Sequence, residues 1–148
     1  MAKIGIIMGS ESDKEIMLGA AKMCEQLEIE YDLIVASAHR QSDRVIEYAT
    51  KAEQTYDVII AGAGKAAHLP GVVASRTLLP VIGVPIKTSD LGGLDSLLSI
   101  VQMPSGVPVA TVAINGSKNA AILAAQIIAR YDTKIKENIK KLKEQQAK

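Results

Sequence analysis

Five short runs rich in Ile and Val recur along the chain, at Lys3–Met8, Tyr31–Ala36, Val58–Ala63, Val81–Pro85 and Val107–Ala113, each bounded by Gly, Pro or Ser. Runs of this length with branched side chains read as β-strands. They lack the strict polar alternation of a strand with one wet face. Unbroken apolar character is what a sheet covered on both faces requires, and such sheets are parallel. The segments between the runs carry helical periodicity over Ser12–Leu27, Ser42–Gln54, Gly71–Thr77, Leu94–Gln102, Lys118–Ala129 and from Asp132 onward. Strand and helix alternate, so the expectation is an α/β fold: a three-layer, doubly wound parallel sheet with an extra C-terminal helix. At 148 residues and 48% hydrophobic, residues 1–148 are expected to close as one domain around one core.

Charge excludes some functions. Seventeen Lys and Arg against sixteen Asp and Glu leave +1, too little to gather nucleic acid or an anionic membrane. Phe and Trp are absent, which removes the stacking platforms that single-strand binders use. The lone cysteine, Cys24, falls in an apolar helical stretch and reads as a small buried side chain; it can form neither an internal disulfide nor a paired metal site. No apolar stretch is long enough for a membrane span or a signal segment, so the protein is expected to be soluble and cytoplasmic. In the last helix Ile135, Ile139 and Leu142 share one stripe in a basic surround, expected to be solvated or packed on another subunit.

In doubly wound sheets ligands bind beyond the carboxyl ends of the strands, so the loops there are the places to look for chemistry. After the first strand comes Gly9-Ser10-Glu11-Ser12-Asp13. Ser10, Ser12 and Asp13 fit helix capping; they equally fit an anion site, with free N–H groups and hydroxyls for phosphate and Asp13 accepting from ribose hydroxyls. After the second strand comes Ser37-Ala38-His39-Arg40. A histidine at a strand end is either a structural side chain or a proton carrier, since imidazole exchanges protons near neutral pH. Arg40 beside it favours the second reading, because a guanidinium clamps phosphate or carboxylate through paired hydrogen bonds.

After the third strand, Gly62-Ala63-Gly64-Lys65-Ala66-Ala67-His68-Leu69-Pro70-Gly71 is a loop of small residues holding the second histidine. Gly62-x-Gly64-x-x-Ala67 matches a dinucleotide fingerprint in letters, but it follows the third strand and no ribose-binding acid ends the next. A P-loop is excluded too: its first glycine would be Ile59, and Ala66 replaces the Ser or Thr. Gly62, Gly64 and Ala66 would let backbone N–H groups approach a flat ligand or small carboxylate, with His68 and Leu69 as walls; a plain tight turn is the competing reading. No metal-ligand spacing and no serine-nucleophile motif occurs, which leaves proton transfer as the candidate chemistry.

Taken with Asp95-Ser96-Leu97-Leu98-Ser99-Ile100-Val101-Gln102-Met103-Pro104, these loops, in this order, resemble the N5-carboxyaminoimidazole ribonucleotide mutase family. The resemblance spans most of the chain. It implies a flavodoxin-like fold, an octamer, and interconversion of N5-carboxyaminoimidazole ribonucleotide and 4-carboxy-5-aminoimidazole ribonucleotide in purine (IMP) biosynthesis, without metal, ATP or organic cofactor. Functional coupling to the ATP-dependent synthetase that makes the carbamate is a further implied partnership. Carried onto matching positions, His39 would handle protons, Ser10, Ser12, Asp13, Ser37 and Arg40 would bind the ribonucleotide, and Gly62, Gly64, Ala66, His68 and Leu69 would enclose the migrating carboxylate. Direct carboxylation of aminoimidazole ribonucleotide by CO2, and a non-catalytic nucleotide-binding module, are the alternatives. Three positions depart from the family pattern: Lys65 stands where glycine is usual, Gln41-Ser42 replace a frequent Thr-Pro, and Asn115-Gly116-Ser117 shorten a loop. Lys65 is expected to point outward as an ordinary solvated lysine.

Overall fold

The computed structural model describes residues 1–148. Its five strands are β1 (Lys3–Met8), β2 (Glu30–Val35), β3 (Val58–Gly64), β4 (Val81–Ile86) and β5 (Ala110–Thr111), and all neighbours pair in parallel in the order β2-β1-β3-β4-β5. Six helices connect and follow them: α1 (Lys14–Gln26), α2 (Ser42–Lys51), α3 (Leu69–Ala74), α4 (Leu94–Val101), α5 (Ser117–Ile128) and α6 (Thr133–Gln146). The doubly wound, three-layer α/β architecture is the one the apolar runs predict.

Alternation of side chains along each strand sorts the core into two layers. Ile4, Ile6, Met8, Val58, Ile60, Ile82, Val84 and Ile86 face α1, α5 and α6, while Ile7, Ile59, Ala61, Ala63 and Val81 face α2, α3 and α4. Fully burying each of these Ile, Val and Met side chains contributes about 1.5–3 kcal/mol.

Several element bounds differ from the sequence expectation, for local reasons. The first helical stretch splits: Ser10 caps a 3₁₀ turn over Glu11–Asp13 before α1 begins. α2 likewise tightens into a 3₁₀ turn over Ala52–Gln54. α3 starts at Leu69, earlier than expected, with Pro70 in its first turn, where a missing N–H costs nothing. The fifth strand shrinks from the expected seven residues to Ala110–Thr111. Gly83 and Pro85 turn their carbonyls toward it, accepting from Val112 N (3.2 Å) and Asn115 N (2.8 Å). Pro85 has no N–H to return, so the ladder stops there.

The α6 stripe is neither solvated nor left for another subunit. Ile135, Ile139 and Leu142 are buried against the α1 and α5 layer of the same chain, and Asn138 Nδ2 donates to Leu27 O at 2.9 Å. No helix is long and apolar enough to cross a membrane.

Candidate active site

The chain leaves β1 on one side of the sheet and β3 on the other, which makes the gap beyond their carboxyl ends the topological switch point. A cleft of about 500 Å³ opens there, built from the β1, β2 and β3 loops with one residue after β4. Ser10, Ser12, Asp13, Ser37, His39, Arg40, Gly64, Ala66, His68 and Leu69 all line it.

The β1 loop caps a turn and at the same time faces the cleft. Ser10 Oγ accepts from Ser12 N at 3.3 Å and lies 3.0 Å from Ser12 Oγ, so the serines cap the turn while their hydroxyls stay on the cleft wall. Gly9 N donates to Gly62 O at 3.1 Å and extends the β1–β3 ladder to the cleft floor. Asp13 is buried, and desolvation pushes its carboxyl above the usual range, partly offset by the nearby Ser10 backbone N–H.

The β2 loop is held by Ser37. Its hydroxyl accepts from Arg40 N at 3.1 Å, its carbonyl accepts from Gln41 N at 2.8 Å, and its own N–H donates to Gln41 Oε1 at 3.3 Å. Gln41 therefore closes the loop on itself and starts α2. The loop delivers His39 and Arg40, both exposed, with Arg40 making no ion pair inside the chain.

His39 meets the β3 loop. Its Nε2 lies 2.7 Å from His68 Nδ1, with ring planes at 79° and centroids 4.8 Å apart. One ring nitrogen donates and the other accepts, so the pair does not carry a proton on both facing nitrogens at once. The geometry links two proton-exchanging side chains at the edge of a cleft bounded by hydroxyls, a guanidinium and small-residue backbone. That arrangement can hold an anionic ligand and pass a proton to or from it.

Gly62 lies apart from the other expected site residues. It is buried within β3, where a Cβ would run into the Met17 thioether, so it serves packing beneath the cleft. Lys65 is exposed and lines the cleft. Ala63, within the loop expected to enclose the carboxylate, lines it too, and three further lining residues were not singled out as site residues from the sequence: Gly9, Ala38 and Thr88. For Thr88 the available signal was its place just past a strand end, which Ser and Thr share with many loop residues. No group of three or more His, Cys, Asp or Glu side chains is placed to hold a metal ion.

Residues 3–148 match the model of the family described as AIR carboxylase. A Pyrococcus abyssi protein named N5-carboxyaminoimidazole ribonucleotide mutase is 59% identical over 145 residues, covering 97% of this chain and 83% of that protein. A Thermotoga maritima protein of the same name is 60% identical over 145 residues, covering 97% and 85%. Among solved structures, Treponema denticola PurE superposes with a TM-score of 0.90 at 31% identity, covering 99% of this chain and 92% of that one.

Proposed function

This chain belongs to the AIR carboxylase family, and from that membership and the cleft we propose that it is an isomerase of purine biosynthesis. It interconverts N5-carboxyaminoimidazole ribonucleotide and 4-carboxy-5-aminoimidazole ribonucleotide. The observation that carries the reading is the His39–His68 pair at 2.7 Å, set between a hydroxyl and guanidinium wall and a small-residue loop.

The chemistry fits these parts. Ser10, Ser12, Ser37 and Arg40 hold the phosphate, and Asp13 accepts from ribose hydroxyls. The carbamate N–C bond breaks and releases CO2 within the cleft; the exocyclic nitrogen takes up a proton. The enamine-like ring carbon forms a C–C bond to the same CO2, and His39 removes the proton that carbon carried. One proton is gained on nitrogen and one lost from carbon, so the reaction is a net isomerisation. Holding CO2 beside the ring converts its recapture into an intramolecular step. His68 orients the His39 ring and shares its proton.

The same reading takes residues 1–148 as one cytoplasmic mutase domain that assembles into an octamer and is functionally coupled to the synthetase that supplies the carbamate. Support for assembly comes from α4, which leaves Leu94, Leu98 and Val101 exposed at helical spacing beside exposed Leu91.

The test is equilibration of the two carboxylated ribonucleotides by purified protein, followed from either side. Turnover in both directions supports the reading. Carboxylation of aminoimidazole ribonucleotide from dilute bicarbonate, with no interconversion, would overturn it in favour of direct CO2 use. Saturable ribonucleotide binding without turnover would reduce the chain to a binding module.

A further inference from the structure

Lys65 sits in the left-handed region of backbone space, at φ 53°, where a side chain is strained and glycine is not. Strained residues that line a cleft point to a role the strain serves. Lys65 makes no ion pair within the chain, and it lines the same cleft as His39 and Arg40. Its carbonyl accepts from Ala67 N at 2.9 Å and the Ala66 carbonyl from His68 N at 2.8 Å, but the N–H groups of Lys65 and Ala66 donate to no group of the protein.

The neighbouring strand adds one more unused polar group. Thr88 lines the cleft, and its Oγ1 is buried just beneath that wall without a partner. Thr88 packs directly on the backbone at Gly64, where a Cβ would come within 2.7 Å of its methyl group. An ammonium, two backbone N–H groups and a hydroxyl thus gather where β3 and β4 end. Three of these four only donate, and a buried hydroxyl without a partner is a costly group to leave unmatched. Donor-only surroundings with a net positive charge match a negatively charged, acceptor-rich group.

We propose that Lys65 and Thr88 form an anion-binding subsite, in which the Lys65 ammonium pairs with an anionic oxygen group of the ribonucleotide and the Thr88 hydroxyl donates to it. The inference rests on the reading of the chain as a ribonucleotide mutase and adds two binding residues to it. The anionic group is either the migrating carboxylate or the phosphate.

Three variants at Lys65 separate charge from backbone strain. Lys65→Met removes the charge and keeps the strain, Lys65→Gly removes both, and Lys65→Arg keeps both. Calorimetric titration with 4-carboxy-5-aminoimidazole ribonucleotide is expected to show Kd raised about tenfold for Met and Gly, and within about threefold of the parent for Arg. Thr88→Val is expected to raise it several-fold. In turnover the losses fall on KM, with kcat changing less than about twofold. The Gly variant melts no lower than the parent, since relief of strain balances the added freedom of the unfolded chain.

Titration with aminoimidazole ribonucleotide, which lacks the carboxylate, distinguishes the two sources. Unchanged affinity there assigns the contact to the carboxylate; an equal loss assigns it to the phosphate. Binding of the carboxylated ribonucleotide within about twofold of the parent in both Met and Gly variants would overturn the proposal. A parent protein that binds but does not turn over refutes the mutase reading alone, while one that binds neither ribonucleotide refutes both.

Discussion

His39 Nε2 and His68 Nδ1 lie 2.7 Å apart, although 29 positions separate the two residues along the chain. The loop after β2 and the loop after β3 reach past the end of β1 to make this contact, because β1 stands between those strands in the sheet. A hydrogen bond between two imidazoles ties the tautomer of one ring to that of the other, and so links their readiness to exchange a proton.

Replacing His39 removes the proposed proton carrier and leaves the loop intact, since the loop is held by Ser37 and Gln41 rather than by the imidazole. His39→Asn is expected to lower kcat by roughly 10²–10⁴. Circular dichroism and Tm should match the parent. Retention of more than about a tenth of parental kcat, with the fold intact, speaks against His39 as carrier.

The role of His68 is read best from a double-mutant cycle. If it acts through His39, His68→Asn lowers kcat by about tenfold and displaces the pH–rate profile, while the double variant is no worse than His39→Asn alone. Strict additivity of the two losses would mean that each histidine works independently.

Asp13 ties the site to stability. Burial raises its carboxyl pKa above the ordinary value. In the window between those two values the folded chain binds more protons than the unfolded chain, so stability falls as pH rises through it, and the cost stands in full above it. Asp13→Asn removes that cost. Tm at neutral pH is expected to rise by about 2–4 °C, as for a gain of about 1 kcal/mol. Near pH 3, where the carboxyl is protonated in both states, the two proteins should melt together. Ribonucleotide affinity should drop in the same variant, because the ribose hydroxyls exchange a charged two-oxygen acceptor for a single neutral amide oxygen.

Gly83 illustrates packing that no loop motif reveals. A Cβ there would run into the Ile100 and Val109 methyl groups, and both of those side chains are β-branched and stiff. Gly83→Ala is expected to destabilise by about 1–3 kcal/mol in urea unfolding. The residue lies outside the cleft lining, so ribonucleotide binding at low temperature should persist. A variant as stable as the parent would show that the sheet and α4 can separate at little cost.

Cys24 is fully buried, and desolvation, with Glu25 adding to it, pushes its thiol up to about 12. Thiolate is the reactive form, so the folded protein should resist a disulfide reagent for hours and react fully once unfolded in guanidinium. Rapid labelling of the native protein would place Cys24 in a locally opening segment.

The layered parallel sheet was legible in five apolar runs because burial on both faces leaves an unbroken hydrophobic signature. Gly-, Ser- and His-bearing strand ends marked most of the cleft for a related reason: in such a sheet the loops after the strands converge at one edge. What tertiary structure decided is which of those residues meet. His39 and His68 pair only because the strand order brings their loops past the end of β1. Gly62 turns into the core rather than the cleft because its place in β3 sets it against Met17. Thr88 enters the site because Gly64, lacking a side chain, gives it a seat. The apolar stripe of α6 was plain in the sequence, and only folding showed that its partners are α1 and α5 of the same chain. Sequence periodicity specifies which side of an element is buried; what covers that side depends on distant residues brought together by packing.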